Sequence, residues 1–173
     1  QSSYWDAAKG RKVIIIQLES FHNVLVGLNV DGQEITPNLN KWAQESLYFP
    51  HFYQQVGQGN TSDAEFVVNS SYYIPPSGAA SQEYADYEVP SLPRLLEENG
   101  YNTTTFHTNH VEFWNRLEMY SALGFGDYYD YDFFGEEDMI AFAASDAVLY
   151  RKTAEELSAL QEEGRPFYSQ VIS

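Results

Sequence analysis

Cysteine is absent from all 173 residues. Disulfides, thiolate nucleophiles and cysteine-ligated zinc are thereby excluded. Basic residues are scarce: 9 Lys and Arg stand against 25 Asp and Glu, a formal net charge of −16. Nucleic acid, whose backbone calls for a basic surface, is excluded as a partner on charge grounds. A polybasic grip on anionic lipid is excluded likewise, whereas metal cations would be attracted. Apolar runs are short. One such as Val13–Ile16 falls far below the roughly 20 residues of a membrane helix. The opening Gln1-Ser-Ser-Tyr-Trp is not a signal peptide. Internal repeats and low-complexity tracts are also lacking.

What is present suits a folded domain of ordinary size. The chain is 43% hydrophobic and 16% aromatic, enough to bury a core. Lys12–Glu19, with its β-branched Val13–Ile16, reads as a buried parallel strand. Thr36-Pro37 reads as a helix start, the helix running to about Ser46. Leu47–Gln54 is a second, aromatic-rich strand. After the flexible Gly57-Gln-Gly-Asn60, Thr61 opens a helix with acids in its first turn. Tyr72–Glu88 is irregular. A short helix over Pro90–Glu98 stops at Asn99-Gly100. Tyr101–His107 is a Thr-rich strand, Glu112–Leu123 a helix ended by Gly124, and Tyr128–Phe134 a strand or folded loop. Ser145-Asp146 caps a helix through Glu163, and Phe167–Ser173 is a final strand. This alternation predicts an α/β fold with a mainly parallel sheet flanked by helices. Ligands collect at the carboxyl ends of such strands, which singles out Glu19 and His107.

Each chemical feature has a plain and a functional reading. Glu19, at a strand end, is either a solvated acid or a ligand for a hard cation. In Gly57-Gln-Gly-Asn-Thr-Ser-Asp-Ala-Glu65, two glycines let the backbone approach a ligand closely. A hydroxyl at a helix N-terminus, where free N–H groups attract phosphate, is either a cap or a nucleophile. Phe106-His-Thr-Asn109 and Phe113-Trp-Asn-Arg116 lie close in sequence. Arg116 beside Trp114 could clamp a phosphate over a polyol pocket, or form a surface ion pair beside a core Trp. Gly135-Glu-Glu-Asp138 reads as a solvated loop.

Taken in order, Leu-Glu-Ser, Thr-Pro-Asn-Leu-Asn-Lys, Gly-Gln-Gly-Asn-Thr-Ser-Asp-Ala-Glu-Phe, Thr-Phe-His-Thr-Asn and Phe-Trp-Asn-Arg resemble the lipoteichoic acid synthase family. These are phosphoglycerol transferases of the sulfatase-like, alkaline-phosphatase-like superfamily. The resemblance spans about Lys12 to Ser173. It implies Glu19 as a metal ligand and Thr61 as metal-touching nucleophile, with His107, Trp114 and Arg116 lining the substrate pocket. It implies Mn²⁺, or Mg²⁺ in its place. The implied donor is phosphatidylglycerol, the acceptor a teichoic acid or glycan, and the location the extracellular face of the bacterial cell membrane, in a membrane-anchored parent protein. Sulfatases proper need a Cys or Ser where Thr61 stands. The family's remaining metal ligands are an adjacent Asp-His pair, and no such dipeptide accompanies His22, His51, His107 and His110. Residues 1–173 are therefore expected to be the N-terminal portion of a catalytic domain, incomplete at its C-terminal side and inactive alone. The alternative is a non-catalytic phosphoglycerol- or glycan-binding module.

Overall fold

The computed structural model describes residues 5–173, so most of the opening Gln1–Tyr4 reading lies outside it. The chain forms two compact units, residues up to Gln17 with Gln55–Ser173, and Leu18–Gln54.

The larger unit is built on a four-stranded sheet in the order β1 (Val13–Gln17), β8 (Phe167–Ile172), β4 (Asn102–His107), β5 (Asp127–Tyr129). Every pairing is parallel, as the alternation of elements predicts, but β1, expected as a buried strand, lies at the sheet's edge with Ile14 and Ile16 exposed. Around it, in chain order, lie α2 (Thr61–Ser70), α3 (Ala80–Glu83), α4 (Leu92–Glu98), α5 (Arg116–Leu123), α6 (Tyr131–Phe134) and α7 (Asp146–Glu162), with a small hairpin of β6 (Met139–Ile140) and β7 (Ala143–Ala144). Alternation along the strands sorts two cores. Phe106, Phe167 and Val171 pack with Phe134, Val148, Leu149, Leu157 and Leu160. A separate cluster joins Phe66 of α2, Ala80 of α3, and Met119, Tyr120 and Leu123 of α5. In α7 the buried Leu149, Thr153 and Leu157 recur every fourth residue, the helical period of one apolar face. Its start is capped as expected, Ser145 Oγ accepting from Val148 N–H at 3.4 Å. Gly124 ends α5 with φ +75°, a left-handed position where a Cβ would come within 2.8 Å of Arg94 Cβ.

The face of β8 carrying Tyr168 and Gln170 is polar and buried. Buried polar groups need partners, and here α2 provides them. Asn69 Nδ2 donates to Gln170 Oε1 at 2.6 Å, and Tyr168 OH donates to Asn69 Oδ1 at 2.7 Å. Gln170 Nε2 donates to Gln17 Oε1 at 3.0 Å, and Gln17 Nε2 in turn donates to the carbonyl of Thr61 at 3.2 Å. Both ends of α2 are thus tied to the sheet. On the other face, Thr104 and Ser169 hydroxyls bond across β4 and β8 at 2.7 Å.

The smaller unit holds β2 (Asn29–Val30) paired with β3 (Gln33–Glu34), and α1 (Pro37–Glu45). Thr36 occupies the cap position of α1 without a capping bond; its hydroxyl donates to the Leu25 carbonyl at 2.9 Å instead. Two readings are corrected. Leu47–Gln54 is not a strand: it has no regular structure, and Leu47, Phe49, Phe52 and Tyr53 are exposed. Aromatic content favours a strand only where a neighbour completes the ladder. The helix expected over Glu112–Leu123 is broken, because Phe113–Asn115 is a 3₁₀ turn with left-handed Trp114 and Asn115. No helix among the described residues is long and apolar enough to cross a membrane.

Asn69→Ala strands the Gln170 carboxamide and the Tyr168 hydroxyl. A loss of about 2–4 kcal/mol in urea denaturation is expected. Asn99→Ala, which removes an exposed bond to the Leu95 carbonyl, should cost well under 1 kcal/mol.

Candidate active site at the carboxyl edge of the sheet

Parallel register brings Gln17, Ile172 and His107 side by side at the carboxyl ends of β1, β8 and β4. Thr61 joins this edge through its carbonyl bond to Gln17. It is the first residue of α2 and half-buried. The preceding Asn60 has φ +44° and ψ −108°, an uncommon conformation for a non-glycine residue. Thr61 therefore does not cap α2.

The two glycines before Thr61 serve a purpose different from contact with a ligand. Gly57 N–H and Gly59 N–H each donate to Asp63 Oδ2 at 2.9 Å, and Ala80 N–H donates to Oδ1 at 2.8 Å. The loop winds round a fully buried carboxylate. A Cβ on Gly59 would collide with that carboxylate and approach Ala79 Cβ to 2.9 Å. Asp63, read from sequence as a first-turn acid, is the organiser of the loop. Ser62 is fully buried as well: its Oγ donates to the Gly59 carbonyl at 3.0 Å and accepts from Ser81 Oγ at 3.2 Å. Of the two adjacent hydroxyl residues, Ser62 is fully buried and Thr61 only half-buried.

His107 Nδ1 lies 3.1 Å from the Ile172 carbonyl. A carbonyl only accepts, so Nδ1 carries the proton of this bond. Trp114 borders an open depression of about 520 Å³ with Gln82, Glu112, Phe113 and Asn115. Arg116 lies behind that rim, 1% exposed. Its Nε is 3.0 and 3.2 Å from the two Glu65 oxygens, Nη2 is 2.8 Å from Oε1, and Nη1 donates to the Phe113 carbonyl at 3.1 Å. The surface ion pair read as the plain alternative is in fact a buried one. Burial opposes the Arg116 charge, but Glu65 and Tyr120 together outweigh it, and the guanidinium pKa is raised. Tyr120 OH donates to Glu65 Oε2 at 2.8 Å. Burial and then the Glu65 charge push the phenol well above its ordinary range. Glu65 was missed from sequence because it stands in the helix as an ordinary acid.

Glu19 lies in the smaller unit, exposed, with Ser20 Oγ 3.3 Å from its Oε1. The Glu19 carboxylate and the Thr61 hydroxyl each offer a hard oxygen of the kind that Mn²⁺ or Mg²⁺ favours. A separate group, His110, Glu112 and Asp130, places ligand atoms within 4.8 Å of one another. Its spacing of 18 residues between Glu112 and Asp130 hid it in the sequence. Asp130 is already bonded to Val111 N–H at 3.0 Å and Asp132 N–H at 3.2 Å, and His110 stacks on Tyr131 at 4.2 Å. The acids of the 135–138 loop are likewise engaged, Glu137 with Arg151 at 2.6 Å and Asp138 with Ser145 at 2.6 Å.

Residues 11–173 match the sulfatase family. Lipoteichoic acid synthase 2 of Bacillus subtilis (strain 168) is 36% identical over 98% of this chain and 26% of its own length. Lipoteichoic acid synthase of Staphylococcus aureus (strain USA300) is 34% identical over 98% of this chain and 27% of its own. The crystal structure of the lipoteichoic acid synthase LtaP from Listeria monocytogenes superposes with a TM-score of 0.96 at 45% identity, covering 99% of this chain and 42% of that one. The chain thus spans about a quarter of the length of the curated relatives.

Asp63→Asn replaces one acceptor oxygen by an NH₂ facing backbone donors, and should cost roughly 2–3 kcal/mol by urea denaturation. Tyr120 should set an alkaline limit. Its folded pKa is raised, so its stabilisation is complete below the unfolded value of about 10 and is lost as pH rises towards the folded value. The melting temperature should fall above about pH 10, and less steeply in Tyr120→Phe.

Proposed function

The chain belongs to the sulfatase family, and we propose that it is the nucleophile-bearing, N-terminal portion of a phosphoglycerol transferase catalytic domain. The donor is phosphatidylglycerol, and the acceptor is a teichoic acid or glycan at the extracellular face of a bacterial membrane. The observation that carries this reading is Thr61: a half-buried hydroxyl residue that opens a helix and is held at the carboxyl edge of the sheet.

Thr61 Oγ attacks the phosphorus of the donor. The bond from phosphorus to the diacylglycerol oxygen breaks, the Thr61 proton is removed, and diacylglycerol leaves with a proton. The glycerol-phosphate ester on Thr61 is then attacked by the terminal hydroxyl of the acceptor, and Thr61 is regenerated. The positive end of the α2 dipole favours the charge that develops on phosphate. His107 holds a phosphate oxygen or a proton at its edge of the sheet, Trp114 shapes the polyol pocket, and Arg116 adds positive charge from behind it. A divalent cation, Mn²⁺ or Mg²⁺, held by Glu19 and Thr61 with further ligands from the longer protein, would lower the pKa of the Thr61 hydroxyl and neutralise phosphate charge. With only those two ligands, the isolated chain is expected to turn over little or no lipid. The runner-up, a binding module, draws on the same Trp114 depression without chemistry at Thr61.

Thr61→Ala in the full-length protein decides between them. Since Thr61 is not the cap, the fold should hold within about 0.5 kcal/mol, while transfer from phosphatidylglycerol drops by several orders of magnitude. Unchanged rates in a folded variant would remove Thr61 from the mechanism.

A further inference from the structure

Glu65 has no part in the chemistry above, yet it is fully buried and holds both Arg116 and Tyr120. It stands one helical turn beyond Thr61 on α2. Arg116 directly follows a backbone conformation that side-chain-bearing residues avoid: Trp114 at φ +62° and Asn115 at φ +52°. Two successive left-handed residues, one of them a Trp, persist only where the flanks are fixed from outside. The flanks are fixed here three times. Arg116 is clamped by Glu65; Arg116 Nη1 closes the turn onto the Phe113 carbonyl at 3.1 Å; and Asn115 Nδ2 donates to the Ser81 carbonyl at 2.8 Å. Ser81 in turn bonds Ser62, next to Thr61. Every tie leads back to the first turns of α2.

We propose that Glu65 is a positioning residue for Trp114: through Arg116 it imposes the left-handed turn and fixes the indole relative to the helix that carries Thr61. Bond geometry supports this over a simple stabilising role. Glu65 meets Arg116 with both oxygens, which sets the guanidinium plane as well as its place. An apolar pair would fill the volume but leave the turn's direction free. The consequence for function rests on the reading of Trp114 as a substrate-pocket residue; the consequence for the turn does not.

The test uses the full-length protein and two variants, Glu65→Gln and the pair Glu65→Met with Arg116→Met. The pair keeps the interior neutral and folds if the single variant does not. Amide hydrogen exchange over residues 112–116 should quicken by about tenfold, with exchange in β8 unchanged. For folded Glu65→Gln, kcat/KM with phosphatidylglycerol should fall roughly tenfold to a hundredfold, mainly through a higher KM. Unaltered exchange at 112–116 in whichever variant is folded overturns the proposal, whatever happens to the rate. Faster exchange with an unaltered KM overturns the link to substrate. If the unsubstituted protein does not turn over phosphatidylglycerol, the functional reading above fails, and the exchange arm still decides the role of Glu65.

Discussion

A buried carboxylate must be met by hydrogen-bond donors, or its burial is strongly unfavourable. Asp63 meets this condition with three backbone amides, from Gly57, Gly59 and Ala80. Much of the larger unit follows from that requirement. The loop before α2 must contain glycine at 59, since a side chain there would meet the carboxylate. The segment that opens α3 must return to the same point, since Ala80 supplies the third amide. Thr61, between loop and carboxylate, is placed by groups on both sides. The far end of the helix is held by Asn69 against Tyr168 and Gln170. Helix α2 thus owes its place to polar contacts at each end and to Phe66 in the core between them.

This division of labour explains what the sequence made legible. Strands β1, β4 and β8 and helix α7 are announced by β-branched or apolar runs, caps and period, although β1 lies at the sheet's edge with Ile14 and Ile16 exposed. So is Thr61, because glycine, a hydroxyl residue and an acid in succession have a physical meaning at a helix start. The roles of Asp63, Glu65 and Asn69 are not announced. Each is a polar residue in a helix, and its partner is a backbone amide or lies many residues away. The Trp114–Asn115 turn is equally silent: only Asn115 hints at a left-handed backbone, and Phe-Trp-Asn-Arg otherwise reads as helix. Leu47–Gln54 misleads in the opposite direction, having a strand's composition with no strand beside it among the described residues.

Charge shapes the proposed chemistry. A chain of net charge −16 repels a phosphate donor at long range, so local positive potential must come from groups at the site. Helix α2 offers the positive end of its dipole, and Arg116 offers a guanidinium whose charge Glu65 partly offsets. The proposed cation would add the remaining positive charge, its shell drawing on hard oxygens such as that of Thr61. The longer relatives, about four times the length of this chain by the shares matched, have ample further sequence from which such a shell could be completed.

The central claim is that Thr61 forms a covalent bond to the transferred group. Intact-mass and peptide mass spectrometry of the full-length protein, quenched in acid after exposure to phosphatidylglycerol without acceptor, measures it directly. A glycerol-phosphate adduct is expected on the peptide containing Thr61, localised to that residue and absent from Thr61→Ala. Lipid turnover in the unsubstituted protein with the adduct on Ser62, or with no adduct at any time during turnover, would contradict the account.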